Sequence, residues 1–271
     1  GSKAVSVNTT SATISDDLAV GGDIITTSAG TSNVRVGVSA GSSIESGGNH
    51  NVAVGNEAGT AITTGDGNIV IGFESGHDIT TGGYNLLIGW KAGDKIDTAS
   101  QNVAIGDGSL SADTKGSKSV AVGSNTLNTQ NFTSATDSYN TAVGYNAGVS
   151  VTTGINNTLI GGLAGDAITT GFSNSLVGKL SGSALTDADY NVAMGQQSLA
   201  QDTQGSTSVA IGSFALGTQN FTSATDSYNT AVGYAAGSAI TTGIYNNLVG
   251  SLTGDALTDA DSNVAIGYAS L

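Results

Sequence analysis

The stretch NVAVGNEAGTAITTGDGNIVIG, residues 51–72, carries the same short motif at both of its ends. In this motif an asparagine is followed by any residue, two apolar residues and a glycine, and a 17-residue period separates the two glycines, Gly55 and Gly72. A period this short indicates that the chain passes through one structural unit many times. The motif or a close variant of it occurs fourteen times, with its glycine at Gly37, Gly55, Gly72, Gly89, Gly106, Gly123, Gly144, Gly161, Gly178, Gly195, Gly212, Gly233, Gly250 and Gly267.

Successive motif glycines follow this 17-residue period, except for one step of 18 and two steps of 21. The segment TQNFTSATDSYNTAVGY occurs twice, at residues 129–145 and 218–234, which are 89 residues apart, or four steps of 17 and one of 21. Such a period is too short for a pair of helices. At roughly 3.3 Å per extended residue it matches one turn of a narrow β-solenoid, and asparagine and glycine at fixed positions suit its tight corners.

We therefore predict an all-β fold, a parallel β-solenoid of the β-roll type with about fourteen 17-residue coils over residues 33–271, in five-coil super-repeats of 89 residues. Residues 1–32 are interpreted as an N-terminal leader that contains a short β segment and begins with a tag remnant, Gly1 and Ser2. At about 4.8 Å per coil the stack would be a rod of about 65 Å.

The coils fall into two classes according to the fourth and seventh residues after the motif glycine, here called positions 4 and 7. Each coil supplies one bulky apolar side chain from one of these positions, as a close-packed interior of fixed volume requires. Nine Gly-type coils have glycine at position 4 and an apolar residue at position 7: Gly41 with Ile44, Gly59 with Ile62, Gly76 with Ile79, Gly93 with Ile96, Gly148 with Val151, Gly165 with Ile168, Gly182 with Leu185, Gly237 with Ile240 and Gly254 with Leu257. Four Leu-type coils have leucine and a polar residue there: Leu110 with Asp113, Leu127 with Gln130, Leu199 with Asp202 and Leu216 with Gln219. The fourteenth coil follows the Leu pattern as far as position 4, at Leu271.

The two residues before each motif glycine are both apolar in every coil but the first, although neighbours along a strand point to opposite faces of a sheet. One face lines the interior, and the other needs a cover that we expect to come from further copies of the same chain. We expect Leu87, Leu159 and Leu176 to lie on that covered outer flank. Arg35 breaks the pattern in the first coil, so the interface between copies is predicted to begin after Gly37.

The composition excludes several classes of function. The formal net charge is −14, which disfavours nucleic acid and anionic membrane surfaces as partners, because both are bound through lysine and arginine. The absence of cysteine excludes disulfides and thiolate metal sites. No apolar run approaches the roughly 18–20 residues of a membrane span, so we expect no membrane insertion.

Two stretches, NVAVGNEAGTAITTGDGNIVIG at 51–72 and NTAVGYNAGVSVTTGINNTLIGGLAG at 140–165, resemble repeats of bacteriophage tail-fibre and tailspike proteins. They are also similar to the head coils of trimeric autotransporter adhesins, which form a YadA-like β-roll, and the leader segment 14–26 looks like the strand-turn-strand that precedes such repeats in phage fibres. The resemblance implies a left-handed, homotrimeric β-roll that carries adhesive surfaces. The 17-residue coil is longer than the coils of the adhesin heads, and no adhesin neck or stalk is seen, which favours the phage family.

The two 21-residue coils are the candidate receptor-binding features. Their four extra residues predict a protruding bulge, in which Phe132 with Tyr139, and Phe221 with Tyr228, could form aromatic surfaces for a sugar. In the alternative interpretation each phenylalanine folds back and covers the end of the neighbouring strand.

Other polar residues give weaker indications of chemistry. The pairs Asp187/Asp189 and Asp259/Asp261 could serve a glycosidase or bind Ca²⁺, but a polar corner that caps backbone groups is the simpler interpretation. His50 and His77 are interpreted as solvated loop residues, and we predict no catalytic residue, no cofactor and no metal site. Threonine pairs could form an ice-binding array, although aspartates interrupt their rows; the pairs begin at Thr63, Thr80, Thr152, Thr169 and Thr241.

The sequence hypothesis is therefore a protein without enzymatic activity: a structural and adhesive shaft segment of a phage tail fibre or tailspike. It would be part of the virion, associate with itself as a homotrimer, and support attachment to a host cell-surface glycan or protein receptor. The alternatives are the head of a bacterial trimeric autotransporter adhesin, exposed at the cell surface, and an ice-binding solenoid.

Overall fold

The computed structural model describes residues 30–271, so residues 1–29 of the predicted leader (1–32), with its predicted β segment, lie outside the described part of the chain. The described residues wind into an all-β solenoid of fourteen coils, and no helix occurs among them. Each coil contributes one three-residue strand to a single parallel sheet, in which the strands follow one another in chain order. The predicted architecture, a parallel β-solenoid built mainly from 17-residue coils, is confirmed.

The fourteen strands of this main sheet are β1 (Val34–Val36), β2 (Val52–Val54), β3 (Ile69–Ile71), β4 (Leu86–Ile88), β5 (Val103–Ile105), β7 (Val120–Val122), β9 (Thr141–Val143), β10 (Thr158–Ile160), β11 (Ser175–Val177), β12 (Val192–Met194), β14 (Val209–Ile211), β16 (Thr230–Val232), β17 (Asn247–Val249) and β18 (Val264–Ile266). Two short parallel pairs lie beside the 21-residue coils: β6 (Gly116–Ser117) with β8 (Thr136–Asp137), and β13 (Gly205–Ser206) with β15 (Thr225–Asp226). Equivalent residues of successive coils are partners in the sheet, so each motif position forms a column along the solenoid.

The motif glycine is required by the approach of the next coil. Gly89 has φ +138°, a conformation that side chains disfavour, and a Cβ atom added there would lie 2.5 Å from the carbonyl oxygen of Gly106. The same approach recurs in the coils before and after it, where Gly72 meets Gly89 and Gly106 meets Gly123. This contact explains why no other residue type occupies the position in any of the fourteen coils.

The interior is a single column of apolar side chains. The middle residue of a main-sheet strand points inward, and Ala53, Val70 and Leu87 are fully buried there. The bulky residue from position 4 or 7 packs against them, and both Ile96 of a Gly-type coil and Leu110 of a Leu-type coil are fully buried. The predicted exchange between positions 4 and 7 is therefore confirmed.

The assignment of the two strand faces from sequence was wrong. Leu87, Leu159 and Leu176 are middle residues of their strands and are fully buried in the interior, not on the outer flank. Arg35 belongs to the same interior column, in register with Ala53, and its Nε donates to the carbonyl of Ala40 at 2.7 Å. It therefore says nothing about where an interface between copies begins.

Asparagines at the start of the motif form the stacked array that the repeat indicates. The main-chain N–H of Asn68 donates to Oδ1 of Asn51 at 2.9 Å, and Nδ2 of Asn68 donates to the carbonyl of Gly82 at 2.9 Å. Comparable bonds link most of the coils, because each buried amide caps backbone groups at a corner. Serine takes the place of asparagine at Ser119 and Ser208, which are also buried.

Candidate functional site

The outward face of the main sheet carries a row of apolar side chains that runs through all fourteen coils. The residue before each motif glycine points outward from the third position of its strand, and these residues form what we call the valine–isoleucine column. Ile160, Met194 and Val249 are 38%, 42% and 43% exposed. The column contains Val36, Val54, Ile71, Ile88, Ile105, Val122, Val143, Ile160, Val177, Met194, Ile211, Val232, Val249 and Ile266.

A second outward column, the flanking column, is formed by the first residues of the same strands. It is apolar in the early coils, for example at Val52 and Leu86, and includes uncharged polar residues further on, such as Thr158, Ser175 and Asn247. Neither column contains a charged residue in any of the fourteen coils, although the chain carries a net charge of −14. An uncharged, largely apolar strip of this length on a surface marks an interaction site.

In five coils an aromatic residue directly follows the motif glycine, and so stands two residues after the member of the valine–isoleucine column. The sequence analysis did not single these residues out. Phe73 and Trp90 stack with ring centroids 6.5 Å apart and an interplanar angle of 10°. The ammonium group of Lys91 lies 5.2 Å from the Trp90 ring centroid, within the range of a cation–π contact. The five residues are Phe73, Trp90, Tyr145, Tyr234 and Tyr268, and all are exposed.

The predicted aromatic surfaces of the 21-residue coils are only half present. Phe132 and Phe221 are 5% and 7% exposed, so their rings are not available to a ligand. Their role as receptor contacts is corrected in favour of the alternative, in which the phenylalanine folds back. The Phe132 ring approaches Gly116 of β6 closely enough that a Cβ atom there would lie 2.6 Å from its Cδ2 atom.

The two tyrosines, in contrast, are exposed, and their surroundings differ. Tyr139 lies beside Lys118, whose Nζ is 3.2 Å from the tyrosine hydroxyl and 2.6 Å from Oδ2 of Asp137. Tyr228 instead stacks on Tyr245 of the next coil, with centroids 5.3 Å apart and an interplanar angle of 5°. A role of Tyr139 and Tyr228 in receptor contact stays a prediction.

The polar residues at position 7 of the Leu-type coils form a buried network that the sequence did not reveal. Nε2 of Gln130 donates to Oδ2 of Asp113 at 2.6 Å and to Oγ of Ser119 at 2.8 Å. Oε1 of Gln130 accepts from Nδ2 of Asn140 at 2.8 Å. Asp113 and Gln130 are fully buried, and burial raises the pKa of the Asp113 carboxyl, against the opposing effect of the bonds from Gln130 and the backbone.

The same network is built again 89 residues later. Nε2 of Gln219 donates to Oδ2 of Asp202 at 2.5 Å and to Oγ of Ser208 at 2.8 Å, and Asn229 donates to Oε1 of Gln219 at 2.8 Å. Each network bridges two adjacent Leu-type coils, the second of which is a 21-residue coil. In the second copy the main-chain N–H of Phe221 donates to Oδ1 of Asp202 at 3.0 Å, which holds the start of the bulge.

The paired aspartates act as the corner caps of the simpler interpretation. Oδ1 of Asp189 accepts from the main-chain N–H of Phe172 at 2.8 Å, and Oδ1 of Asp261 accepts from that of Ile244 at 2.8 Å. Asp187 and Asp259, the other members of the pairs, accept from the hydroxyl of the threonine that precedes each of them. Both pairs therefore serve the local backbone and its neighbouring side chains.

The threonine pairs do not form a continuous flat face. The first member bonds to the next coil, as where Oγ1 of Thr63 donates to the carbonyl of Thr80 at 3.1 Å. The second member is exposed, but Lys115, Asp187 and Asp259 occupy the same column and break it. The regular array expected of an ice-binding surface is thus absent from the described coils.

The structure brings one histidine into a charged cluster. His77, Asp78 and Asp94 present side-chain atoms that all lie within 4.8 Å of one another, which the spacing in the sequence did not suggest. Lys95 already pairs with both acids, at 3.1 Å from Asp78 and 3.4 Å from Asp94. Together with Lys95, these three residues form a group of ion pairs. His50 is exposed, as predicted.

Comparison with protein-family models, curated proteins and solved structures finds no match for this chain. Within residues 30–271, none of the structure is a helix with the length and apolar character needed to cross a bilayer. The features that bear on function are therefore the outward columns, the duplicated buried networks and the exposed aromatic residues.

Proposed function

We propose that this chain is a structural and adhesive shaft segment of a bacteriophage tail fibre or tailspike, built from three copies, that holds receptor-binding parts away from the virion. The observation that carries the proposal is the valine–isoleucine column, which runs through all fourteen coils with no polar member. The repeat motifs that resemble phage fibres support the biological setting, and they are the source of the number three and of the left-handed winding.

A second copy of the same chain is the partner that best fits the valine–isoleucine column. The column is as long as the solenoid itself, so a partner that covers all of it needs the same length and the same repeat. The column carries no charge, which lets identical chains of net charge −14 approach along this face without placing like charges opposite one another. A closed ring of copies buries the column on every chain.

The coil-to-coil hydrogen bonds supply the rigidity that a shaft needs. Each main-sheet strand has a parallel partner on both sides, except the first and last described strands, so no edge is open along the length of the rod. Each coil contacts only its neighbours, and the rod extends by about 4.8 Å per coil. Burial of the outward columns between copies would add resistance to bending and to proteolysis.

The solution mass of the chain tests the assembly. We expect sedimentation equilibrium or light scattering to give three times 26.5 kDa. Ile160→Asp should lower the mass to that of a single chain while the far-ultraviolet circular dichroism stays β-type, because the change places a charge in the valine–isoleucine column.

Thr153→Asp is the matched control for that variant, since Asp187 and Asp259 occupy the equivalent exposed position in other coils. Its mass should equal that of the unchanged protein. A wild-type mass of 26.5 kDa at micromolar concentration would contradict the proposed assembly.

Immunogold labelling tests the setting. Antibodies raised against this chain should decorate the tail fibres of virions from a phage that encodes it. Labelling confined to the outer surface of bacterial cells would instead support the adhesin-head alternative, which uses the same fold.

A further inference from the structure

A groove beside the exposed ring of Phe214 lies on the surface of the second super-repeat, the copy that contains residues 180–218. It has a volume of about 410 Å³ and is lined by residues from four successive coils. The residues that matter for its chemistry are Leu180, Gln197, Gln201, Phe214, Gly217 and Thr218. The volume lies within the roughly 300–1,000 Å³ of typical small-molecule sites.

The groove combines one exposed aromatic ring with uncharged polar groups. None of its lining residues is charged. Phe214 is 37% exposed, and Tyr234 contacts its ring edge-on, with centroids 6.0 Å apart and an interplanar angle of 83°, which restrains the ring. The side chain of Gln201 is exposed. The main-chain carbonyl oxygen of Gln197 accepts no hydrogen bond from the described residues.

The first super-repeat shows how the same surface looks when it is closed. Eighty-nine residues earlier, Asn128 stands where the second copy has Gly217, and Asn125 stands where it has Phe214. Nδ2 of Asn128 donates to the carbonyl of Gly108 at 2.8 Å and to Oγ of Ser111 at 2.8 Å, so this side chain fills the space. Gly108 is the counterpart of Gln197, whose carbonyl is left open in the second copy.

We propose that the groove between Leu180 and Phe214 is a binding site for a neutral saccharide. The ring of Phe214 offers a flat apolar face to the C–H groups of a pyranose, and the Gln201 amide and Gln197 carbonyl offer a donor and acceptors for its hydroxyls. The absence of charged lining residues selects against acidic sugars, because a carboxylate or sulfate would find no cation there. Phe214 is the second residue after its motif glycine, and its backbone is left-handed, with φ +62°. The second residue after the glycine is left-handed in the other described coils too, so the fold itself fixes the direction of this side chain.

This site deepens the proposed function, since it gives the shaft a ligand of its own, and it rests on that proposal only for its biological setting. The solution mass tests the assembly, and saccharide binding tests the groove. A trimer that binds no sugar would agree with the proposed assembly and contradict the proposed binding site.

The binding test uses the whole chain on an array of short neutral oligosaccharides built from hexoses and N-acetylhexosamines, with sialylated and sulfated oligosaccharides beside them. We expect binding to at least one neutral oligosaccharide and none to the charged set. The best binder is then measured by isothermal titration calorimetry. Absence of binding to every neutral oligosaccharide, or binding to the charged set alone, would overturn the proposal.

Two variants copy residues of the first super-repeat, so both are compatible with the fold. Gly217→Asn should abolish measurable binding, because the new side chain fills the groove as Asn128 does. Phe214→Asn should weaken binding roughly tenfold through the loss of the aromatic face. Asparagine accepts the left-handed backbone of this position, as Asn125 shows at φ +53°.

The controls change other sites. Asn128→Gly removes the filling side chain from the first copy, which lacks the aromatic ring, and should leave the affinity unchanged. Tyr84→Ala removes an exposed aromatic residue outside the groove and should also leave it unchanged. Binding that survives Gly217→Asn, or that is lost on Tyr84→Ala instead, would contradict the assignment.

Discussion

The coil of Gly89 and the coil of Gly106 are neighbours that fill the same interior in opposite ways. The first is Gly-type, with Gly93 at position 4 and the fully buried Ile96 at position 7. The second is Leu-type, with the fully buried Leu110 at position 4 and Asp113 at position 7. Position 4 is left-handed in both, with φ +59° at Gly93 and +50° at Leu110. Only glycine adopts this conformation freely, so the Leu-type coil accepts backbone strain of about 1–2 kcal/mol.

The distances explain why a coil never has bulky residues at both positions. A Cβ atom at Gly93 would lie 2.9 Å from Cδ1 of Ile96 and 2.8 Å from Cδ1 of Leu87. The interior therefore has room for one large side chain from the two positions. When position 4 supplies it, position 7 is released from apolar packing and becomes available for the Asp113–Gln130 network. The Leu-type coil therefore has a strained left-handed backbone at position 4, and in return position 7 can form a buried hydrogen bond to the neighbouring coil.

The largest expected effect comes from placing both bulky groups in one coil. Gly93→Leu should lower the free energy of unfolding by about 4 kcal/mol, from overpacking against Leu87 and Ile96 and from the left-handed backbone. Urea denaturation followed by circular dichroism measures the loss. Adding Ile96→Ala in the same chain should recover about 1–3 kcal/mol of it, because the two side chains compete for one space. Equal stability of the single and double variants would contradict the exchange between positions 4 and 7.

The opposite change should be somewhat smaller. Leu110→Gly empties the interior of a coil whose position 7 cannot refill it, and it should lower the free energy of unfolding by about 3 kcal/mol. The loss is smaller than the cavity alone would give, since glycine relieves the strain of the left-handed backbone at this position. The same urea experiment measures it. A stabilised Leu110→Gly variant would mean that the strain outweighs the packing.

The buried network should contribute less than the core leucine. Gln130→Ala removes the only side-chain donor to Oδ2 of Asp113 among the described residues, and should lower the free energy of unfolding by about 2 kcal/mol. Gln219→Ala makes the same change in the second copy and should have the same effect within about 0.5 kcal/mol. A loss confined to one of the two copies would show that the duplicated networks are not equivalent.

The smallest effect is a dependence on pH. Burial raises the pKa of Asp113 in the folded chain, so the folded state favours the protonated carboxyl. The preference for the protonated Asp113 carboxyl stabilises the folded state fully below the unfolded pKa of about 3.9. This stabilisation is lost as pH rises through the higher folded pKa. The difference in free energy of unfolding between the wild type and Asp113→Asn should therefore shift against the wild type as pH rises from about 4 towards neutral.

Urea titrations of both proteins at a series of pH values measure this difference. A wild type that gains stability over Asp113→Asn on the same rise in pH would contradict the sign, and would mean that hydrogen bonds to the carboxylate outweigh its burial.

The period and its glycines were sufficient to predict the fold. The 17-residue recurrence of glycine reflects the contact of each coil with the next, as Gly89 makes with Gly106, and the exchange between positions 4 and 7 requires that these side chains meet in one interior. The direction of the strand could not be predicted, because both residues before the glycine are apolar and alternation does not distinguish inside from outside. That ambiguity led Leu87 to be placed on the wrong face.

The candidate sites were harder to predict for the same physical reason. Asp113 and Gln130 are polar, and their residue type alone gives no sign of burial, because the bond that satisfies both side chains joins one coil to the next. Phe132 is buried because its ring packs against Gly116 of β6, which belongs to the preceding coil. The groove at Phe214 was not predicted, although the sequence carries a sign of it: Gly217 and Phe214 stand where Asn128 and Asn125 stand 89 residues earlier.

The glycine-to-glycine contact also bears on how such a chain changes over generations. Because the identical segments 129–145 and 218–234 occupy the same place in their coils, unequal recombination between them would remove or insert 89 residues, a whole number of coils. The product would still bring a glycine onto a glycine at the junction. The length of the solenoid can therefore change between generations by whole coils, and each product would fold through the same contacts.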